Sequence, residues 1–313
     1  MAEKKAEQFY TPPPKLGKWE GFRIFIWNSE THQFLGRTGA SWGKILLFYV
    51  IFYCGLIGFF VAMMVVFYQT IDMKIPKWQQ DKSVIGNNPG LGFRPMPPES
   101  NVESTLIWYR ANDEQNYKYW TEELDKFLEV YKHPGSVSGE GKNIVDCDKT
   151  DPGDKVCYVD PKEWSYCSSE NHYSYHRSAP CIFLKLNKIY GWVPEYYNDS
   201  DSLPGKMPKD LKDHIKDTTD PRERNTVWVS CEGENPADVE NIGPIQYIPR
   251  RGFPGYFFPF TNKEGYLSPL VAVWFERPKT GVLINIECKA WAHNVRHDRA
   301  ERRGSVHFEL MVD

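Results

Sequence analysis

The sequence predicts a single transmembrane α-helix followed by an extracellular, mainly-β, immunoglobulin-like sandwich domain with one prominent α-helix. Three observations predict it. Residues 45–68 (ILLFYVIFYCGLIGFFVAMMVVFY) contain no charge and no Pro. Six of the seven Cys lie after that run. Beyond it, short segments alternate apolar and polar residues between scattered Pro and Gly, as strands and turns do.

As a helix, the apolar run measures roughly 36 Å at about 1.5 Å per residue. That exceeds the ~30 Å hydrocarbon core of a bilayer. Its flanks set the orientation. Residues 1–44 carry Lys4, Lys5, Lys15, Lys18, Arg23, Arg37 and Lys44 against Glu3, Glu7, Glu20 and Glu30, a net of +3. Of 38 basic and 41 acidic residues this leaves 31 and 37, a net of −6 for the remainder. The positive flank stays in the cytoplasm, so the N-terminus is expected inside and residues 69–313 outside. A cleaved signal peptide would need a shorter apolar stretch near the start and a small-residue cleavage site. YQTIDMKIPKW, after the run, has none. Trp42 on one side, and Tyr68 with Trp78 on the other, suit interfacial aromatic belts.

The expected division is a cytoplasmic tail (1–44), a transmembrane helix (45–68), an extracellular juxtamembrane stalk (69–102) and a disulfide-bonded extracellular β-sandwich (103–313). Residues 76–102, rich in Pro and Gly, read as an irregular stalk or wrap. TPPPK (11–15) reads as part of a disordered tail.

Within the outer part, NTVWVSCE (225–232) puts Val227, Val229 and Cys231 on one face. GVLINIECKAW (281–291) does the same with Val282, Ile284, Ile286 and Cys288. CIFLKLN (181–187) aligns Ile182, Leu184 and Leu186, and SVHFELMV (305–312) aligns Val306, Phe308, Leu310 and Val312. LSPLVAVWF (267–275) is apolar on both faces and should be covered twice. The helix lies in NYKYWTEELDKFLEVYKH, where Tyr117, Trp120, Leu124, Phe127, Leu128 and Tyr131 recur at helical spacing. HPGS (133–136) ends it.

Cys54 lies inside the membrane run. The other six, Cys147, Cys157, Cys167, Cys181, Cys231 and Cys288, read as three disulfides in an oxidising compartment. Two strands that each point a Cys inward suggest one bridge, 231–288, across a buried interior, an inter-sheet pair as in immunoglobulin-like sandwiches. The neighbours 147–157 and 167–181 are the simplest remaining pairs. Cys167, His172, His176 and Cys181 also carry a zinc-like spacing, although a thiolate zinc site competes with disulfide formation. His293 and His297 sit among Arg296, Arg299, Arg302 and Arg303 and read as surface charge.

Asn198-Asp199-Ser200 is a glycosylation sequon. A type II membrane glycosyltransferase would use Asp199 and Asp201 as metal-holding carboxylates, but a glycan on Asn198 would obstruct them. The chain has no nucleotide-binding glycine loop, no H-E-x-x-H and no G-x-S-x-G. No catalytic residue, metal ligand or cofactor is assigned. A cell-surface adhesion or receptor reading rests on RGFPGYFFPF (251–260), dense enough in aromatics for a protein partner or a core corner. In the membrane run, Tyr49, Phe52 and Tyr53 share one helical face. The two Tyr hydroxyls favour a protein neighbour over lipid, which suits an accessory subunit.

FIWNSETHQFLGRTGASWGKILLFYVIFY (25–53) resembles the beta subunits of sodium/potassium-transporting ATPases. The resemblance continues through FLEVYK (127–132), the six outer Cys, PCIFLKLNKIYGW (180–192), GFPGYFFPF (252–260), YLSPLVAVWF (266–275) and IECKAW (286–291). It implies a non-catalytic plasma-membrane subunit that pairs with the catalytic alpha subunit, supports its folding and delivery, and tunes potassium affinity. ATP and ion sites would belong to alpha, with no nucleic acid and no small-molecule substrate bound by this chain. It implies the sequential bridges 147–157, 167–181 and 231–288. It maps a membrane contact with alpha onto Tyr49, Phe52 and Tyr53, and an outer one onto Tyr256, Phe257 and Phe258. Two departures stand out. Phe260-Thr261-Asn262-Lys263 replaces the family's aromatic-Gly-Lys, and Asn198 is the single sequon where vertebrate members often carry several.

Overall fold

A computed structural model describes residues 17–101, 103–133, 143–199, 202–298, 301 and 303–313. The TPPPK segment, residues 134–136 of HPGS, Ser200, Asp201, Arg299 and Arg302 lie outside the described residues. The chain divides into two compact units, one ending at Asp72 and one beginning at Met73.

The first unit holds helix α1 (Lys18–Ile26), strands β1 (Trp27–Asn28), β2 (Gln33–Phe34) and β3 (Arg37–Thr38), and helix α2 (Gly39–Gln69). The three short strands form an antiparallel meander in which Trp27 faces Phe34. Gly36 adopts φ +73 at the second turn, a left-handed conformation open to Gly at little cost. α2 starts six residues before the apolar run expected at 45 and is 31 residues long. Polar Ser41 and Lys44 hide this first turn from a hydropathy reading, although Ala, Trp and Lys all tolerate a helix. Its mean hydropathy is 2.6 in the best window, and none of its residues is buried.

The second unit is a sandwich of two sheets. One runs in the order β10 (Ile245–Ile248), β12 (Leu270–Phe275), β8 (Cys181–Leu186), β4 (Leu91–Arg94), antiparallel throughout. The other runs β11 (Gly252–Pro254), β9 (Thr226–Gly233), β13 (Ile284–Trp291), β14 (Ser305–Val312), β5 (Leu106–Tyr109). Its last pair is parallel. A separate two-stranded ladder joins β6 (Ile144–Val145) and β7 (Val156–Cys157). The alternating residues of β13 and β14 point inward, with Ile284, Ile286, Cys288, Phe308 and Leu310 at 1% exposure or less. The Phe308 ring meets Phe93 at 5.0 Å and Phe275 at 6.2 Å, which joins the two sheets.

Two sequence readings are corrected here. The stalk expected over 69–102 contains β4, an edge strand of the first sheet. Pro and Gly dominate its surroundings, but an edge strand tolerates Gly92 and stops at Pro95. Cys231 and Cys288 do not bridge two sheets. They lie directly opposite each other on β9 and β13 of one sheet, with Cα atoms 4.0 Å apart. Alternation shows that both Cys face inward, but it does not say which sheet each strand joins. Cys167 and Cys181 form the disulfide expected of them, so neither is a thiolate for zinc.

β12 is covered on both faces. One faces the second sheet. Over the other, Trp274 stacks on Tyr166 at 4.6 Å, and Trp164 and Tyr173 close on neighbouring Phe183 at 5.1 and 6.1 Å. The helix α3 (Glu114–Lys132) starts where Asp113 accepts a hydrogen bond from the Gln115 amide. It buries Tyr117, Trp120, Leu124, Leu128 and Tyr131. Helix α4 (Lys209–Asp217) roofs the outer face of the second sheet. There Leu211 and Ile215 meet Trp228 and Trp291 in a second small core. Helix α5 (Pro236–Asn241) closes the end of β9 through a capping box between Asn235 and Asp238.

Candidate partner-binding faces

On α2, Tyr49 and Tyr53 stack one turn apart at 6.1 Å. Phe52 lies edge-on to Tyr53 at 5.5 Å and stacks on Phe48 at 6.3 Å. At 100° per residue, Trp42, Tyr49, Phe52 and Tyr53 fall within about a third of the helix circumference. All are exposed. A shallow groove of about 500 Å³ runs beside the stripe, lined by Trp42, Ile45, Leu46, Tyr49, Val50, Tyr53, Cys54 and Ile57. Its walls are apolar, and the stripe adds two phenol hydroxyls. Cys54 is a free thiol there.

The aromatic segment 251–260 separates into buried and accessible parts. Phe253 is fully buried and Phe257 is 6% exposed, so Phe257 is a core residue and presents no surface to a partner. Gly252 lets the segment lie against β9: a Cβ there would fall 2.4 Å from the Val227 carbonyl oxygen. Tyr256 and Phe258 are half-buried. The Phe258 ring packs edge-on to Trp192 at 5.5 Å. The Tyr256 hydroxyl donates to Asp148 at 2.8 Å. Burial and that carboxylate push its phenol well above the usual value. The pattern at Phe260 to Lys263 has a structural use. Asn262 takes φ +54 and donates to the Lys74 carbonyl, and Lys263 donates to the Gly153 carbonyl.

Beside Tyr256 opens a cleft of about 270 Å³ that the sequence did not reveal. Arg250 pairs with Asp148 at 2.8 Å. Glu163 lies on the same wall, and burial together with the Asp148 and Asp160 carboxylates holds it above the usual carboxylate range. Its residues come from two segments, 146–164 and 249–270, and no local motif marks them. Among the described residues, no group of His, Cys, Asp or Glu is arranged to hold a metal ion.

The three bridges are Cys147–Cys157, Cys167–Cys181 and Cys231–Cys288. Asn198 is exposed and its amide donates to the Tyr196 carbonyl. His172 and His176 stand 5.8 Å apart, edge to face. His293 and His297 are exposed, as expected, and the His297 ring contacts the Ala290 carbonyl at 2.7 Å and lies against Trp291 at 4.5 Å.

A family profile described as "Sodium / potassium ATPase beta chain" matches residues 13–308. The chain belongs to this family. It is 58% identical over 311 residues to the sodium/potassium-transporting ATPase subunit beta-2 of Drosophila melanogaster, covering 98% of this chain and 96% of the relative. Subunit beta-1 of the same organism is 42% identical over 305 residues, with 96% and 95% covered. Human subunit beta-2 is 29% identical over 312 residues, with 94% of each covered. The family resemblance read from residues 25–53 onward is therefore correct. A single-pass helix followed by a disulfide-bonded, mostly-β domain is the architecture seen here.

Proposed function

We propose that this chain is the non-catalytic partner of the catalytic alpha subunit of a sodium/potassium pump, assisting its folding and membrane delivery and tuning its potassium affinity. In this reading the N-terminus is cytoplasmic and the sandwich faces outward at the plasma membrane. Catalysis and ion binding belong to alpha. The observation that carries the proposal is the Tyr49/Phe52/Tyr53 stripe. A bilayer gives helices no hydrophobic reason to associate, so close packing and hydrogen bonds must supply it. The stripe offers both, and Tyr49, Phe52 and Tyr53 are each about half exposed on the helix. Tyr256 and Phe258 form the accessible part of an outer contact, and Asn198 carries the glycan.

The test replaces all three stripe residues with Leu, which keeps the span apolar. Copurification with alpha should fall, or potassium activation should change, while the outer domain still folds. Normal copurification with unchanged activation would place the contact elsewhere. Protease added to intact cells should digest the outer domain and spare an epitope near Lys4.

A further inference from the structure

The segment before the membrane helix is folded and unusually apolar at its surface. No residue of α1 is buried. Trp19 is 79% exposed, and Phe22, Phe25 and Trp27 are each 54% exposed. Phe34 and Leu35 are exposed as well. At 100° per residue, Phe25, Lys18, Phe22, Ile26 and Trp19 occupy one side of α1, with Arg23 at its margin. Trp19 and Phe22 lie 6.1 Å apart on that side. Water-facing segments do not normally carry so many large apolar side chains together.

The meander fixes where this surface lies. Trp27 and Phe34 are direct cross-strand neighbours. The Leu35 amide donates to the Ile26 carbonyl, binding the meander to the end of α1. The Trp42 indole donates to the Phe34 carbonyl at 2.8 Å, and their rings lie 6.3 Å apart. Trp42 is in the first turn of α2, one turn before the uncharged run begins at residue 45. The aromatic surface is thus tied to the point where the helix enters the hydrocarbon. Around it stand Lys18, Arg23, Arg37 and Lys44 against Glu20 and Glu30, a net of +2 for residues 17–44.

We propose that α1 and the meander form a collar that inserts Trp19, Phe22 and Trp27 into the headgroup boundary of the bilayer, with the four cations seated on anionic phospholipid. An amphipathic helix with aromatics on one side, and with Lys and Arg long enough to reach from that side to the headgroups, behaves in this way, sinking roughly 5–10 Å into the boundary. Juxtamembrane cations are drawn to the anionic cytoplasmic leaflet. The choice of leaflet rests on the N-in orientation proposed above, whereas insertion itself does not.

The test uses the full chain carrying Cys54→Ala, with a nitroxide attached through Phe22→Cys or, as a control, Glu20→Cys. The chain is reconstituted into vesicles of phosphatidylcholine alone or of phosphatidylcholine with phosphatidylserine. Collision with oxygen reports the acyl region, and collision with a water-soluble nickel complex reports solvent. The label at position 22 should favour oxygen, should move deeper with phosphatidylserine, and should lose that dependence in a Lys18→Gln/Arg23→Gln background. The label at position 20 should favour nickel. A label at position 22 open to nickel in both vesicle types overturns the proposal. So does a label shielded only when the alpha subunit is present, which would assign the aromatic surface to a protein partner. The side of the membrane is read separately by protease on intact cells, so an error in orientation is not mistaken for a failure of insertion.

Discussion

Removing the Cys231–Cys288 bridge should destabilise the outer domain more than removing either of the others. The bridges close separations of 57, 10 and 14 residues for Cys231–Cys288, Cys147–Cys157 and Cys167–Cys181. Loop-closure entropy then gives about 4.2, 2.7 and 3.0 kcal/mol at 25 °C. Paired Cys→Ala substitutions are the right perturbation, because Cys231 is 5% and Cys288 0% exposed and Ala buries no hydroxyl. The assay is urea unfolding of the full chain in mild detergent, read by the near-ultraviolet signal of buried Trp164, Trp192, Trp228 and Trp291. With a slope of about 3 kcal/mol/M, the midpoint should fall by about 1.4 M for 231–288 and about 0.9 M for 147–157. Equal shifts for the long and short loops would refute the argument. They would mean that local packing, not chain closure, sets what each bridge contributes.

Leu211→Ala should cost about 2–5 kcal/mol, because Leu211 is fully buried between α4 and the two Trp of the outer face; thermal unfolding checks it. Gly252→Ala should cost about 1–3 kcal/mol by overpacking, since its Cβ would meet the backbone of β9; a urea midpoint within error of the parent would contradict this. Asp238 supplies a pH test. Burial alone would raise its carboxyl, but hydrogen bonds from Asn285 and Asn235 prevail and hold it below its ordinary value of 3.8. A depressed carboxyl stabilises the fold above that value and ceases to do so as pH falls through the folded value. The stability gap between parent and Asp238→Asn should therefore be full at neutral pH, about 1 kcal/mol as for a lost helix cap, and should shrink below pH ~4. A gap unchanged down to pH ~2 would show that the cap does not depend on the charge.

The features legible in the sequence were those with a local period. The uncharged run, the alternation in β9, β13 and β14, and the helical spacing of α3 each repeat within a dozen residues. The readings that failed depend on longer-range or masked information. Charged Lys209, Asp210, Lys212 and Asp213 mask the Leu211/Ile215 pair of α4. His172, Tyr173 and Ser174 take successive positive φ values of 47, 50 and 61, a backbone that no propensity favours. The cleft at Asp148, Glu163 and Arg250, and the sheet shared by Cys231 and Cys288, exist through tertiary contact alone. The shared face of Tyr49, Phe52 and Tyr53 on α2 was readable because helical spacing alone sets it. The segment at 252–260 was not, because aromatic density does not distinguish buried Phe257 from half-buried Tyr256.

The parallel pairing of β5 with β14 governs when the domain can be completed. Leu106 waits for Glu309, 203 residues later in the chain, and among the described residues β14 is the only strand beside β5 in its sheet. At about 5–20 residues per second of synthesis, that wait is roughly 10–40 s. During it β5 presents an unsatisfied edge. The two short disulfides close loops whose Cys have all emerged by residue 181, so they can form in that interval. The β14–β5 part of the second sheet cannot. Until β14 arrives, β5 stays outside the sheets, while the first sheet and the β11-β9-β13 part of the second can already pair.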